Sequence, residues 1–252
     1  MIRLPGPRTG RPVATRHGLA RILSKRGLCS RREAALWIAA GRVAVDGRIV
    51  LDPEFPIAGE VSISVDGGAI PTAQRLYLAL NKPRGLVTTA SDEQGRDTVY
   101  QCFGDAGLPW LAPVGRLDKA SEGLLLMSND PGWAARITDP SQGPDKTYHV
   151  HVDRIPDPSI LAAMVQGVAV GDGFLRAKSA TLLRSGQRNA WLEIVLDEGR
   201  NRQIRRLLQA FDIGVMRLLR VAIGEVRLGD LPKGGWRHLS PAEVDALSGP
   251  TP

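Results

Sequence analysis

With 252 residues and 43% hydrophobic content, the chain is long enough to bury one large core or two smaller ones. Its two cysteines, Cys29 and Cys102, supply neither a four-ligand zinc site nor a disulfide framework, a usage that fits a reducing cytoplasm. Of 33 basic and 26 acidic residues, 11 and 2 respectively fall within residues 1–50, leaving 22 basic against 24 acidic in the rest. The positive excess is therefore confined to the first fifth of the chain. A field clustered in this way attracts polyanions and points to nucleic acid rather than to a merely solvated face.

No apolar run approaches the ~18 residues of a membrane span, so no membrane contact is expected. Met1 to His17 is rich in Arg, Pro and Gly, lacks acids and has no apolar centre. It does not read as a secretory signal. Residues 1–16 are expected to form a flexible basic arm.

Leu19, Ile22 and Leu23 share helical spacing, with Arg21, Lys25 and Arg26 around them and Gly27 placed as a stop. A second helix should start at Ser30, where Ser30 and Glu33 are spaced as a capping box, and stop at Gly41. Val43 and Val45, the pair Asp46-Gly47, and Ile49-Val50 read as a β-hairpin. Val61 to Val65 alternates as another short strand.

The run Ser30-Arg31-Arg32-Glu33-Ala34, followed by Gly41-Arg42-Val43-Ala44-Val45-Asp46-Gly47, resembles the S4 RNA-binding domain. Helix start, helix stop and hairpin turn all agree with that module. The resemblance implies structured RNA as ligand, contacted by Arg and Lys on the helices: Arg21, Lys25, Arg26, Arg31 and Arg32.

From Leu76 the composition becomes mixed. Leu76 to Leu80 reads as a strand leading into an Asn81-Lys82-Pro83-Arg84-Gly85 turn. Lys146 to Val152 and Ala190 to Leu196 read as strands, and Ile160 to Val165 and Gln203 to Phe211 as helices, with Asn201 as N-cap of the last. The lack of a βαβ rhythm favours an α+β fold: a small S4-like domain, then a mixed, mainly antiparallel sheet flanked by helices. The expected division is an arm over 1–16, an RNA-binding domain over 17–74, a catalytic domain over 75–248 and a tail over 249–252.

No phosphate-binding or dinucleotide-binding glycine turn occurs, so no cofactor is expected. The histidines are His17, His149, His151 and His238; His149 and His151 share a strand face without a third ligand, so no metal is expected. Gly115-Arg116-Leu117-Asp118 precedes Ser121-Glu122-Gly123 and an apolar run. An aspartate at such a turn is, taken alone, more often a turn former or ion-pair partner than a catalyst. A basic helix follows Glu198-Gly199-Arg200-Asn201-Arg202, and by itself it reads equally as a phosphate site or a solvated face.

Together these segments resemble the pseudouridine synthases, in the ribosomal branch that carries an S4 domain. Lys82-Pro83-Arg84-Gly85, Gly115-Arg116-Leu117-Asp118 with its Gly-Leu-Leu-Leu tail, Lys146-Thr147-Tyr148, Arg202-Gln203-Ile204-Arg205-Arg206 and Pro232-Lys233-Gly234-Gly235-Trp236 occur in the family's order. The resemblance implies isomerisation of a uridine in ribosomal RNA, free or in a pre-ribosomal particle, by a cytoplasmic enzyme that needs no cofactor and is a monomer by default. It implies that Asp118 is the essential carboxylate, that Arg205 pairs with it, and that Tyr148 stacks on the uracil. Arg116 would fill the gap left by the extruded nucleotide, and Arg202 would contact RNA. Lys82 and Pro83 read as structural. Ser121 stands where Thr is common and keeps the hydroxyl. Two rivals remain at this stage: an RNA-binding protein without catalysis, and a hydrolase using Asp118 and Glu122 as a carboxylate pair.

Overall fold

Leu19, Ala20 and Leu23 turn inward from the first helix to meet Ala34 and Ile38 of the second, and this apolar stripe organises the N-terminal part of the computed structural model. The structure describes residues 17–57, 61–70, 74–89, 92, 94–171 and 173–249. The expected arm over 1–16 and residues 250–252 of the tail lie outside them. The chain divides into two units between Gln74 and Arg75.

In the first unit, β1 (His17–Gly18) leads into α1 (Leu19–Lys25) and α2 (Arg31–Ala39). Ser30 caps α2 by accepting a hydrogen bond from the Glu33 backbone N–H at 3.1 Å. This is one half of the expected capping box, and the Glu33 side chain is exposed. The hairpin β2 (Val43–Val45) to β3 (Arg48–Ile49) turns at Asp46 and Gly47, with φ of 48° and 79°. Positive φ at both central residues matches the right-handed twist of the flanking strands, which is why an Asp-Gly pair sits there. β4 (Pro56–Ile57) pairs with β1, and β5 (Ile63–Val65) with β6 (Gly68–Ala69) completes a four-stranded sheet of order β3-β2-β5-β6.

The second unit is built on a nine-stranded mixed sheet. Its elements are β7 (Tyr77–Lys82), β8 (Ala112–Val114), β9 (Glu122–Ser128), α3 (Pro131–Thr138), β10 (Lys146–Val152) and α4 (Pro158–Gln166). A side hairpin of β11 (Val168–Val170) and β12 (Gly173–Leu175) follows, then β13 (Ser179–Ser185), β14 (Ala190–Leu196) and α5 (Gln203–Gln209). The chain ends in β15 (Val215–Ile223), β16 (Val226–Arg227), β17 (Trp236–His238) and α6 (Pro241–Ser248).

Strand order is β13-β14-β10-β15-β9-β7-β17, with β16 on β15 and β8 on β9. Every pairing in the sheet is antiparallel except β15 with β9. That parallel contact is short, joining Leu219 to Glu122 and Arg220 to Gly123. Further along the same edge of β9, β8 takes over. The sheet therefore forks beside β9, and the fork positions the site described below.

Gly123 makes the join possible. A Cβ there would lie 2.3 Å from the Arg220 carbonyl oxygen, and φ is +101°, a conformation that side-chain-bearing residues rarely adopt. The turn expected from Asn81 begins later than the sequence suggests, because Asn81 and Lys82 still pair with Leu124 and Gly123.

Candidate active site

Asp118 sits on the loop between β8 and β9, and that loop is tied down from several directions. Leu117 is buried and anchors it in the core formed with Leu78, Leu80, Leu125 and Met127. The Thr88 hydroxyl donates to the Leu117 carbonyl at 2.8 Å, and the Gly85 N–H donates to that of Lys119 at 2.8 Å. Below the loop lies Lys82, fully buried. Its ammonium donates to the carbonyls of Ser121 (2.8 Å), Pro83 (3.1 Å) and Asp118 (3.2 Å). Burial lowers the Lys82 pKa to about 8. Three carbonyl acceptors satisfy its three donors without a carboxylate partner.

The Asp118 carboxylate opens into a cavity of about 570 Å³. Arg116 and Ser121 line it from the same loop, Tyr148 and Lys146 from β10, Leu218 and Arg220 from β15, and Arg202 from the entry to α5. Tyr148 is half-buried and packs against the cores on both sides of it. Arg116 is exposed at the rim.

The charge partner of Asp118 differs from the expectation. Arg202 Nη1 lies 3.7 Å from Asp118 Oδ2, between half-exposed side chains. Arg205, the expected partner, instead sends Nη2 to the Ala120 carbonyl and Nη1 to the Val215 carbonyl, each at 3.3 Å. Its position in the first turn of α5 directs the guanidinium along the loop's backbone. Burial, then the charge of Arg202, lowers its pKa, and Asp118 acts in the opposite sense. Arg205 thus braces the Asp118 loop, and Arg202 faces the carboxylate.

Asn201 is not the N-cap of α5. Arg202 holds that position in the left-handed region at φ 49°, with no side-chain cap. Gln203 replaces the capping function: its Oε1 accepts from the Arg200 N–H at 3.0 Å, and its Nε2 donates to Glu198 at 2.7 Å and to the Arg176 carbonyl at 3.0 Å. These bonds set the 198–203 loop along the cavity wall. α5 ends at Gln209, two residues short of Phe211.

The carboxylate pair of Asp118 and Glu122 does not form. Glu122 belongs to β9, is buried, and receives hydrogen bonds from Arg217 Nε and Nη2 and an ion pair from Lys233 at 3.1 Å. Burial pushes its carboxyl up, but the hydrogen bonds and charges of Arg217 and Lys233 prevail and hold it below its ordinary range. Such a group supports structure and lines no part of the cavity. Among the described residues no group of three His, Cys, Asp or Glu is arranged to hold a metal, and His149 lies against Glu193 at 3.3 Å. No described helix is long and apolar enough to cross a membrane.

Of the residues singled out from sequence, Asp118, Tyr148, Arg116 and Arg202 meet in the cavity, with Arg205 behind its loop. Arg21, Lys25, Arg26, Arg31 and Arg32 lie in the N-terminal unit. Arg21 and Lys25 are exposed on α1, Arg26 is its half-buried C-cap, and Arg31 and Arg32 are exposed at the start of α2. Sequence reasoning missed Arg220. Its signal was available: a charged residue at an inward register position, between Leu218 and Ala222, on an otherwise apolar strand face.

The RNA pseudouridylate synthase family model matches residues 76–210, more than half of the chain, and the S4 domain model matches residues 18–63. The chain belongs to the RNA pseudouridylate synthase family. As a pseudouridine synthase it is an isomerase acting on RNA, with an S4 domain ahead of its catalytic sheet. It is 35% identical over 223 residues to an uncharacterized RNA pseudouridine synthase of Rickettsia prowazekii, covering 88% of this chain and 94% of that one. It is 35% identical over 247 residues to the ribosomal large subunit pseudouridine synthase B of Haemophilus influenzae, covering 95% and 69%. The Bacillus subtilis protein of the same name is 33% identical over 232 residues, covering 91% and 94%. A crystal structure of a pseudouridylate synthase superimposes with a TM-score of 0.65 at 29% identity, covering 92% of this chain and 99% of that one.

Proposed function

We propose that this synthase converts a uridine of large-subunit ribosomal RNA to pseudouridine, with Asp118 as the essential carboxylate. The observation that carries the reading is the convergence of Asp118, Tyr148, Arg116 and Arg202 on one cavity of about 570 Å³, a size suited to one extruded nucleotide. The names of the Haemophilus and Bacillus relatives support the choice of RNA.

The uridine leaves its stack and lies against the Tyr148 ring, while Arg116 at the rim occupies the vacated space. Asp118 then either attacks the ribose C1′ or takes the C2′ proton. In both routes the electrons of the C1′–N1 bond pass to the uracil. The base turns and C5 bonds to C1′ as the Asp118–C1′ bond breaks or, in the second route, as the proton returns to C2′; C5 then loses its proton and N1 takes one up, so atoms balance and no cofactor is required. Arg202 faces the carboxylate and Arg205 braces its loop, so both position Asp118. The 17–74 module supplies general RNA affinity through Arg21, Lys25, Arg26, Arg31 and Arg32, and the 75–248 domain carries the chemistry. The protein acts in the cytoplasm as a monomer.

The test is tritium release from ribosomal RNA transcripts labelled at uridine C5. Release by wild type and none by Asp118→Asn supports the reading. No release from large-subunit RNA, with binding intact, would replace it with that of an RNA clamp.

A further inference from the structure

Among the described residues, three buried side-chain polar atoms have no hydrogen-bond partner: Ser121 Oγ, Arg220 Nη2 and Arg205 Nε. Buried polar groups are nearly always satisfied, so a cluster of exceptions calls for a cause. Ser121 and Arg220 line the Asp118 cavity, and Arg205 lies behind its loop. The unmet hydrogen-bonding capacity of this unit is concentrated where a substrate would sit.

Arg220 is the most costly of the three. Its residue is 6% exposed, and its Nε donates to the Leu124 carbonyl at 2.7 Å. Among the described residues it makes no ion pair, whereas Arg217, three positions earlier, is neutralised by Glu122. A buried guanidinium without a carboxylate is costly to desolvate, and one hydrogen bond does not offset that cost. A methionine or leucine would fill the same inward position at lower cost.

Its placement gives it a use. Arg220 is directly opposite Tyr148 on the neighbouring strand, at the floor of the cavity. Its backbone is clamped against Gly123, at the close approach a Cβ would forbid. Lys146 lines the same floor, and burial together with the charge of Arg220 lowers its pKa. The floor is thus cationic and enclosed, while Arg116 and Arg202 are exposed at the rim. Backbone phosphates remain at the solvated rim; the base is the part of an extruded nucleotide that reaches the floor.

We propose that Arg220 is a catalytic residue that donates to a carbonyl oxygen of the extruded uracil and stabilises the uracil anion released on C1′–N1 cleavage. The inference rests on the reading of the cavity as the uridine site. When the bond breaks, its electron pair spreads over N1, O2 and O4 of the base. C1′ regains its electrons from an Asp118 oxygen or from the C2′–H bond whose proton Asp118 takes. The guanidinium neither gains nor loses a proton; it is a fixed donor where negative charge develops, and low polarity strengthens it.

The experiment compares wild type, Arg220→Met and Arg220→Lys in single turnover on two large-subunit ribosomal RNA transcripts. One contains uridine and the other 5-fluorouridine, whose fluorine stabilises the departing anion by itself. Loss of the target nucleoside is read by chromatographic separation of the nucleosides from the RNA fragment spanning the site, because uridine and pseudouridine have equal mass, with RNA Kd and Tm measured alongside. Arg220→Met should slow the uridine reaction on the order of 10²-fold with Kd within about twofold of wild type. Its deficit should shrink about tenfold on 5-fluorouridine, and Arg220→Lys should fall between. Equal deficits on both RNAs, or a loss explained by Kd alone, overturn the inference. An unimpaired Arg220→Met beside an active wild type overturns it too, and leaves the function reading standing. A wild type that converts neither RNA overturns both. Should neither variant fold, a crystal structure of wild type with the 5-fluorouridine RNA decides: an Arg220 Nη within hydrogen-bond distance of a base oxygen supports the inference, and a longer separation overturns it.

Discussion

Arg21 and Arg31 of the first unit and Arg205, Arg217 and Arg220 of the second are placed in contrasting ways. In the N-terminal module Arg21 and Arg31 project from helix surfaces into solvent, where water and salt screen them. In the catalytic unit the half-buried Arg205, the partly exposed Arg217 and the buried Arg220 have fixed partners, and their guanidinium groups end on backbone carbonyls, on Glu122, or on one carbonyl with a donor to spare. Exposed cations attract RNA of any sequence at long range, while fixed ones act on a single group at contact distance. On the proposed reading, the difference separates affinity from chemistry within one chain.

Substitutions on each side can break that division. The largest effect belongs to the fixed side. Asp118→Asn should lower the rate of pseudouridine formation on the order of 10³-fold or more while leaving RNA Kd nearly unchanged. Comparable losses in both quantities would mean that the cavity also supplies the affinity. Lys82→Met follows: it strips the donor from three carbonyls around the Asp118 loop, and urea unfolding should show a loss of about 2–4 kcal/mol. A stable variant with a normal turnover rate would show that the loop needs no such support.

On the exposed side, Arg21→Ala combined with Arg31→Ala should weaken RNA binding about tenfold and reduce its salt dependence, with the single-turnover rate at saturating RNA unchanged. A change in that rate would mean that the module also orients the substrate. The smallest effect concerns a carboxylate away from the cavity. The Arg237 hydrogen bond, with help from Ser240, holds the Glu243 pKa at about 2. A depressed carboxyl stabilises the fold above its unfolded pKa and loses that contribution as pH falls through the folded value. Glu243→Gln should therefore cost about 1 kcal/mol near neutrality, and its thermal denaturation should converge with that of wild type between about pH 4.5 and 2.

Much of this architecture was legible in the sequence where one physical signal dominated. Lys146 to Val152 and Ala190 to Leu196 alternate so regularly that their strand limits coincide with the pattern, and Asp46-Gly47 specifies its hairpin turn by conformation alone. Asp118, Tyr148 and Arg116 emerged from motif order rather than from local pattern. What stayed hidden depends on contacts distant in sequence. Lys82 is satisfied by carbonyls 36 and 39 residues away, and Arg220 is held through Nε by one 96 residues away. The placement of Arg202 rather than Arg205 beside the Asp118 carboxylate rests on one left-handed residue at the start of α5, which helical spacing alone does not reveal.

The fork beside β9 also sets a timetable for synthesis. β7, the Asp118 loop and β9 leave the ribosome early, but the strand that closes β9's open edge and brings Arg220 to the floor is Val215–Ile223. At ordinary elongation rates it emerges about 5–20 s later. Until then the nascent chain carries its carboxylate without the cavity floor, and an exposed strand edge waits for its partner. On the proposed reading catalytic competence therefore waits for β15, and a chain stopped before that strand could display the Asp118 motif but would have no floor on which to hold a base.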